Sequence, residues 1–391
     1  MKISIRSFPI WFGIFPIMAA LQIDILSSIG EIFRWILMFV AACGALIWRP
    51  KHNLEFLKNY WALFILIIIS LSAVWSINPS QSIYKLISII LLYMACFGGM
   101  RHWINIYGIE LFLSQISIFI SLVILLNFLL GLFVYQSSWL MGSFRGFFVN
   151  PNQIALLAGF ISPLILRQYI VTSSIFYIVI FFTIILTLFL SNGRTGIIMT
   201  FFSCVLLLIS YRSQVRSIST FLLLFIFPII IILFYQWFYG IYEGIINTEN
   251  LLSNRQIAWD ILKYKIQDRP LFGHGFGTDA GVWKYYEIDL GFRMHGAASS
   301  YYGLAYQLGI PFTIFFFTIL AFIAIKALFI GISKNNNYFI LISIIIMNGF
   351  LASFTEPWIS SAGNAYSWFY WIFVMLAIYG KNIDSIKNKP N

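Results

Sequence analysis

Long apolar runs, each close to the thickness of a lipid bilayer, fill almost the whole of this 391-residue chain. A helix needs roughly 20 apolar residues to cross the hydrocarbon core of a membrane. Hydrophobic residues make up 61% of the sequence and charged residues only 9%, whereas soluble domains carry about 25% charged residues. The sequence therefore predicts an all-α, polytopic integral membrane protein.

Apolar runs of spanning length predict twelve transmembrane helices. The first run has no small-residue cleavage site behind it and further runs follow at once, so we expect a first transmembrane helix rather than a removable signal peptide. An even number of helices places both ends of the chain on one side. The predicted spans lie at about 8–24, 30–48, 60–76, 83–100, 108–135, 152–170, 174–191, 194–211, 218–240, 300–328, 337–355 and 365–380.

Lysine and arginine divide the connections between these spans into a basic set and a set with few cations. The positive-inside rule assigns the basic set to the cytoplasm. Both termini are then cytoplasmic, and the long polar segment 241–298 lies outside the inner membrane, in the periplasm. The basic set holds Lys2, Arg6, Arg49, Lys51, Lys58, Arg101, Arg167, Arg212, Arg216, Lys326, Lys334, Lys381, Lys387 and Lys389.

The formal net charge of +11 does not indicate a nucleic-acid partner, because the cations stand singly or in pairs between apolar spans. Cys43, Cys96 and Cys204 lie inside apolar runs, too far apart for a metal-ligand spacing, and are expected to be buried hydrophobic residues.

The polar segment divides the chain into three parts: helices one to nine over 1–240, a periplasmic loop or lid over 241–299, and helices ten to twelve with a short tail over 300–391. Residues 254–265 of the lid predict an amphipathic helix with Ile257, Ile261 and Tyr264 on one face. The glycine-rich stretch 271–277 follows a helix and a proline rather than a strand, which argues against a nucleotide-binding loop.

Charged residues on the outer side run against the positive-inside pattern. Arg145, Arg194 and Glu356 belong to short outer connections, and Arg255 and Arg293 belong to the lid. A single arginine there is readily explained by a salt bridge or by contact with headgroups. Several arginines at one leaflet are better explained by a binding site for an anion.

Two outer connections are suited to such an anion. Asn150 and Pro151 are typical of a helix start, and Asn152 follows them, so a helix N-terminus with free N–H groups would face outward. The turn at 191–196 has glycines for close approach, with Arg194 at its exit. The simpler alternatives are a helix cap and a structural turn.

A histidine at the membrane boundary, His295, is a candidate general base toward a sugar hydroxyl, although a lone histidine is often structural. The sequence contains no Asp-x-Asp pair and no cluster with metal-ligand spacing. We therefore expect chemistry without a metal ion or other cofactor.

Seven short segments together resemble the O-antigen ligase and polymerase superfamily, which includes the Wzy-type polymerases. The resemblance covers most of the chain, and its strength lies in the order of the segments. They are Trp75–Pro79, Gly146–Ala155, Ser191–Gly196, Asn254-Arg255 with Trp259, Pro270–Gly277, Leu308–Pro311, and Glu356–Trp358 with Gly363-Asn364.

This resemblance implies a fold like that of the C-type glycosyltransferases and an inverting transfer at the periplasmic face. The donor would be an oligosaccharide linked to undecaprenyl pyrophosphate, which Arg194 and Arg255 would bind with support from Arg145 and Arg293. Asn150 and Asn152 would belong to a loop that contacts the donor and the acceptor. Membrane lipids surround such a protein, and a chain-length regulator is a further expected partner.

One departure from the family bears on the acceptor. The histidine of the ligases would fall on Ala298, whereas His295 stands three residues earlier, so Glu356 is a second candidate base. We therefore expect a polysaccharide repeat-unit polymerase. The alternatives are a ligase that uses lipid A–core or a protein acceptor, and a transporter of lipid-linked glycans.

Overall fold

The protein is described by a computed structural model that covers residues 35–36, 38–40, 42–43, 59–134, 137–140, 142–211, 253–279, 299–362 and 365–387. Helices dominate these ranges, and a two-stranded antiparallel hairpin pairs Trp139 with Phe144. In chain order the elements are α1 (Tyr60–Ser72), α2 (Pro79–Tyr93), a π-helical segment (Met94–Met100), α3 (Arg101–Tyr107), α4 (Ile109–Phe133), β1 (Trp139–Leu140), β2 (Ser143–Phe144), α5 (Pro151–Thr172), α6 (Ile175–Leu190), α7 (Arg194–Ser210), α8 (Ser253–Asp268), α9 (Ser300–Leu308), α10 (Ile310–Ser333), α11 (Asn337–Thr355) and α12 (Ala365–Lys387).

Five helices in the described part are long and apolar enough to cross a membrane. The prediction of a mostly helical, polytopic membrane protein is confirmed. Four shorter apolar helices, at α1, α6, α7 and 366–380, match other predicted spans. The predicted spans 8–24 and 218–240, and most of 30–48, lie outside the described residues. The five long helices are Pro79–Tyr107, Ile109–Phe133, Pro151–Thr172, Ile310–Ser333 and Asn337–Thr355.

Helices α2 and α5 both begin with an Asn-Pro pair. The end of the bundle at which Pro79 and Pro151 start these helices is called the site end. The side chain of Asn78 accepts from the N–H of Gln81, and that of Asn150 accepts from the N–H of Asn152. A proline takes the first helical position in both, where its missing N–H costs nothing. The prediction that Asn150 caps a helix is confirmed.

The predicted tenth span is divided by Gly309. This glycine has a φ of +86°, which a residue with a side chain rarely adopts, and helix α10 begins directly after it. The chain reverses there, because the rings of Tyr301 and Phe317, on either side of the break, lie 4.1 Å apart. The long apolar helix is therefore Ile310–Ser333, and residues 300–308 form a separate short helix packed against it.

Helix α5 is the centre of the described bundle and contacts α4, α6, α7 and α11. Its approach to α7 is very close: a Cβ added to Gly196 would lie 2.3 Å from the carbonyl oxygen of Ala155. Deeper in the bundle, the Asn348 amide of α11 donates to the Ser203 hydroxyl at 2.8 Å. Small residues and interhelical hydrogen bonds are the usual means of joining helices in lipid.

An ion pair between a buried arginine and a partly exposed glutamate joins three helices at the opposite end. Arg167 of α5 binds both carboxylate oxygens of Glu110 at 2.8 and 3.3 Å, and its guanidinium lies 4.6 Å from the ring centre of Tyr338. The Tyr338 hydroxyl donates to the same carboxylate. These contacts tie α4, α5 and α11 together at the end of α5 and the start of α11 that lie away from the candidate site.

The lid helix α8 forms over Ser253–Asp268, as predicted, and Ile261 of the predicted apolar face packs against the buried cluster, but Tyr264 does not belong to the buried face. Ala258, Leu262 and Ile266 are the buried positions, and they pack with Ala305 and Tyr306 of α9. Tyr264 is 63% exposed. A helical wheel cannot separate these neighbouring faces, because the small Ala258 carries little hydrophobic signal.

The glycine-rich stretch after α8 is a structural connector. Its glycines Gly273, Gly275 and Gly277 all have positive φ, and the backbone bonds to α9 through His274 N–H to Tyr306 O at 2.9 Å. The Ser82 hydroxyl of α2 donates to the carbonyl of this stretch at Phe276. The backbone groups of this stretch thus join the lid helix to α2 and α9.

Candidate functional site

A carboxylate, an arginine and an amide meet at the site end of the bundle. The Glu356 Oε1 atom lies 2.7 Å from Arg255 Nη2 and 3.3 Å from Asn152 Nδ2. The three residues come from the end of α11, the first turn of α8 and the first turn of α5, and 101 residues separate Glu356 from Arg255. The side chains of Arg255 and Glu356 keep 31% and 25% of their surface exposed, so a ligand can reach the pair.

Glu356 owes its position to the way α11 ends. Helix α11 stops at Thr355, and Glu356 is extended, with φ −141° and ψ 138°. The Ser300 hydroxyl donates to the Glu356 carbonyl at 2.7 Å and accepts from the Trp358 N–H at 3.2 Å. One serine at the start of α9 thus fixes the backbone on both sides of Pro357, and with it the point where the carboxylate is attached.

Asn152 reaches Glu356 because of the helix start that precedes it. The Asn150 side chain accepts the Asn152 backbone N–H at 2.8 Å, while the Asn152 side chain donates to the carboxylate. The N-terminus of α5, with its positive dipole end, therefore lies beside the acidic group. The two asparagines predicted for the donor and acceptor loop have different tasks here: one caps the helix and the other contacts Glu356.

Arg255 is placed by the packing of the lid helix. Ala258 and Leu262 are fully buried against α9, and the ring of Trp259 lies 5.8 Å from that of Tyr302. These contacts fix α8 over α9 and direct Arg255, on its first turn, toward Glu356. The lid helix and the bundle are thus joined by both an apolar contact and an ion pair.

Arg194 is linked to Glu356 through adjacent residues, because the residue after Arg194 bonds the residue before Glu356. It is the first residue of α7 and is exposed, and the next residue, Thr195, shares a hydrogen bond of 2.9 Å with Thr355. Thr355 directly precedes Glu356. The close packing of Gly193 on Ala155, where an added Cβ would lie 2.0 Å from the Ala155 Cβ, brings the start of α7 to the start of α5.

Arg145 braces the connection that contains it. Its Nε donates to the Ser137 carbonyl at 2.9 Å and its Nη1 donates to the Val149 carbonyl at 3.0 Å. The Asn192 amide donates to the Ser143 hydroxyl of the same connection at 3.2 Å. These bonds hold the backbone that leads into Asn150, so Arg145 is tied to the site through the loop.

The remaining predicted residues, His295 and Arg293, lie outside the described residues, as does Ala298. Ser300 and the Thr195–Thr355 pair were not predicted. The only available signal was their place in the chain, since each stands at a helix end next to a predicted residue or segment. The described residues contain no group of three or more His, Cys, Asp or Glu side chains that could hold a metal ion.

The environment of Glu356 shifts its acidity. Burial raises the pKa of the Glu356 carboxyl, while the positive charge of Arg255 and the hydrogen bond from Asn152 act in the opposite direction. A carboxylate with a raised pKa is a stronger proton acceptor than an ordinary glutamate. The arrangement can bind an anion at Arg255 and accept a proton at Glu356.

The central part of the chain matches a known family. Residues 179–317 match a family model described as O-antigen ligase. The matched range begins within α6 and ends within α10, so it includes Arg194 and Arg255. It confirms the O-antigen ligase and polymerase superfamily that the sequence resemblance predicts. None of the curated proteins that we compared with the chain is significantly similar to it.

Proposed function

We propose that this protein is a membrane glycosyltransferase that transfers a glycan from undecaprenyl pyrophosphate to the terminal sugar of a lipid-linked repeat unit, as a polysaccharide polymerase does. The single observation that supports this most is the meeting of Arg255, Glu356 and Asn152 at the end of the bundle where Arg194 begins α7. A cation for a leaving anion and a base for an entering hydroxyl stand side by side.

The reaction that we propose needs no covalent intermediate. The oxygen of an acceptor hydroxyl attacks the anomeric carbon of the donor from the face opposite the leaving group, which inverts the configuration. The bond from that carbon to the pyrophosphate oxygen breaks, and its electron pair leaves with the pyrophosphate. The hydroxyl proton passes to Glu356 or to His295.

Arginines in place of a metal ion would stabilise the charge that develops on the pyrophosphate. A guanidinium presents two parallel N–H donors that fit phosphate oxygens. Arg194 and Arg255 are the candidates, and Arg145 and Arg293 are candidates for support. Fixed donors directed at developing charge are commonly among the largest contributions to catalysis.

The ion pair between Arg255 and Glu356 suggests an order of events. While Arg255 contacts Glu356, the arginine favours the ionised carboxylate. A pyrophosphate that binds Arg255 would compete for the same guanidinium and reduce its hold on Glu356. The carboxylate would then become more basic as the donor binds, at the moment when a base is required.

The acceptor separates the proposed polymerase from a second candidate. The family model that matches residues 179–317 is described as O-antigen ligase, and a ligase would transfer the glycan to lipid A–core instead. Loss of a polymerase leaves single repeat units on the final acceptor, whereas loss of a ligase leaves polymer on the carrier lipid. The glycan profile of a deletion strain therefore distinguishes the two functions.

Purified protein and a lipid-linked repeat unit test the activity itself. We expect polymer to form without any other protein, and a chain-length regulator to change only the length distribution. Release of undecaprenyl pyrophosphate in step with glycan transfer would support the donor. Movement of the lipid-linked unit across a vesicle membrane without glycan transfer would instead support a transporter and contradict this proposal.

The sidedness that we propose places the site in the periplasm, with both termini in the cytoplasm and the protein in the inner membrane. Arg101, Arg167, Lys326 and Lys334 lie at or near the opposite end of the helices, which supports this orientation through the positive-inside rule. Labelling of a cysteine placed at Ser80, in the first turn of α2, by an impermeant reagent in whole cells tests it, in a variant whose Cys43, Cys96 and Cys204 are replaced by alanine.

A further inference from the structure

The stretch that follows the lid helix, residues 269–278, which we call the lid connector, carries two large apolar side chains on its surface. Leu271 and Phe272 are 62% and 65% exposed, although they belong to the polar segment that the sequence predicts to lie outside the membrane. Gly273 and His274, directly after them, are buried. Neighbouring large apolar side chains that stay exposed mark a surface that another apolar phase covers.

One side of the lid connector is bound to the start of helix α10. The Ile310 N–H donates to the Pro270 carbonyl at 2.8 Å. The backbone approaches closely here, since a Cβ added to Gly309 would lie 2.1 Å from the Leu271 carbonyl oxygen and 2.9 Å from the Phe272 nitrogen. The two exposed apolar residues therefore lie at the level where α10 begins.

The other side of the lid connector contacts the turn between α1 and α2. The Trp75 indole N–H donates to the Phe272 carbonyl at 3.0 Å, and the two rings meet edge to face with their centres 5.7 Å apart. The Ile77 N–H donates to the His274 carbonyl at 2.9 Å. These contacts, with those to α10, fix the backbone that carries Leu271 and Phe272.

The two helices that meet the lid connector expose apolar side chains along their length. Helices α1 and α10 are neighbours, since the rings of Phe64 and Phe315 lie 5.3 Å apart. Leu71 of α1 is 51% exposed and Ile314 of α10 is 63% exposed, as expected of residues that face lipid. Ile310, which bonds to the lid connector, is also exposed. The exposed apolar residues of the lid connector therefore adjoin those of a membrane-spanning helix.

The length of α10 fixes the depth of these residues in a bilayer. Its 24 residues rise about 36 Å at 1.5 Å per residue, and the hydrocarbon core of a membrane is about 30 Å thick. The first turn of α10 therefore lies at the boundary between hydrocarbon and headgroups, and so do Leu271 and Phe272. Trp75, which contacts Phe272, is the residue type that concentrates at this level.

A cation stands directly before the apolar pair. Arg269 is exposed, and its Nη1 donates to the Trp75 carbonyl at 3.3 Å, so the guanidinium lies at the same level as the indole. The phosphates of phospholipid headgroups lie just outside the hydrocarbon and attract arginine and lysine. An apolar pair next to an arginine is thus complementary to the surface of a bilayer.

We infer that Leu271 and Phe272 insert into the membrane leaflet on the side of the candidate site and anchor the lid helix to phospholipid. Acyl chains cover the apolar pair, and headgroup phosphates contact Arg269. Because α8 runs directly into the lid connector, this insertion holds the lid helix, and with it Arg255, at the membrane surface. The inference concerns the position of the lid and does not depend on the proposed reaction.

A spin label at residue 272, in purified protein in phospholipid vesicles, tests the inference. The label is attached to Phe272→Cys after the three native cysteines are replaced by alanine. Ile314→Cys provides the reference in lipid, and Lys263→Cys, on the exposed side of the lid helix, provides the reference in water. Collisions with oxygen, which concentrates in hydrocarbon, are compared with collisions with a water-soluble nickel chelate. The ratio of oxygen to nickel collisions at Phe272 should exceed that at Lys263 several-fold and approach that at Ile314.

A ratio at Phe272 equal to that at Lys263 would overturn the inference, and so would few collisions with either reagent, as under a covering protein. A second measurement uses the unmodified chain and is independent of any folding defect. Phosphatidylethanolamine with a photoreactive group on its acyl chain should label the peptide that contains Leu271 and Phe272, as well as peptides from α10. Labelling of α10 without the lid connector would overturn the inference. Neither measurement requires glycan transfer, so both remain decisive if the proposed function fails.

Discussion

Thr195 and Thr355 share a hydrogen bond of 2.9 Å, and each is the chain neighbour of a candidate site residue, Arg194 in one case and Glu356 in the other. The bond joins the first turn of α7 to the last turn of α11, across 160 residues of sequence. Because this bond fixes the start of α7 against the end of α11, it also fixes the spacing between Arg194 and Glu356.

Replacement of either threonine by valine should reduce the transfer rate several-fold. Valine keeps the shape of threonine but removes the hydroxyl, so the two helix ends lose one hydrogen bond, worth about 1 kcal/mol. Because the partners act together, the double variant should be no worse than the more affected single variant. Rates from purified single and double variants give this comparison, and simple additivity would show that the bond does not couple the two sites.

Arg255→Ala should abolish chain extension, with a loss of at least about 100-fold, the scale of removing one donor to a developing oxyanion. Lys263→Ala is the matched control, since Lys263 lies on the same lid helix and pairs with Asp260 at an exposed position. Transfer rates of the two variants, normalised to membrane-inserted protein, check this. Full-length polymer from Arg255→Ala would exclude a role for this arginine in binding the donor.

The pH dependence of the rate should report Glu356. Burial raises the pKa of this carboxyl. As the pH is lowered, the rate should therefore begin to fall at a higher pH than it would if the base were an ordinary glutamate. The base is ionised above its pKa and protonated below it, so activity lies on the alkaline side. Glu356→Gln, which keeps an acceptor for Asn152, should lose activity and this limb of the profile. If the residual activity of Glu356→Gln kept the same pH–rate profile as the unmodified protein, another group would be the base that accepts the proton.

Removal of Glu110 should destabilise the protein more than removal of Arg167. Glu110→Ala leaves the Arg167 guanidinium buried without its anion, whereas Arg167→Met leaves a carboxylate whose side chain is 46% exposed and can meet solvent. The first change is expected to cost about 3 kcal/mol or more, and the second should cost less. Thermal unfolding in detergent measures both, and equal melting temperatures would contradict the asymmetry.

Gly309→Ala should be far more damaging than Gly142→Ala. Both glycines have positive φ, so alanine is strained at either position by about 1 kcal/mol. A Cβ at Gly309 would also lie 2.1 Å from the Leu271 carbonyl oxygen, whereas at Gly142 it would meet nothing within 4 Å. Yields of folded protein and melting temperatures compare the two variants. A tolerated Gly309→Ala would mean that the connection after α8 does not fix the turn between α9 and α10.

The sequence predicts most of the helices and several of the site residues, and the reason is local. Asn150 with Pro151 marks a helix start by chemistry that needs no tertiary contact. The Arg255–Glu356 pair cannot be found in this way, because it depends on how the lid packs over α9. The break at Gly309 had a local signal in Pro311, which stands in the first turn of α10, but an unbroken apolar run around it conceals that signal.

The π-helical segment sets the rotation of α3 relative to α2 within the continuous helix Pro79–Tyr107. Such segments commonly represent an extra residue accommodated within an α-helix. If one residue were removed there, α3 would turn by about 100° relative to α2, the angle per residue of an α-helix. Arg101, now stacked 3.9 Å from the ring centre of Tyr379, would face elsewhere, and so would the buried Trp103. The length of the stretch from Met94 to Met100 is thus as constrained as its composition.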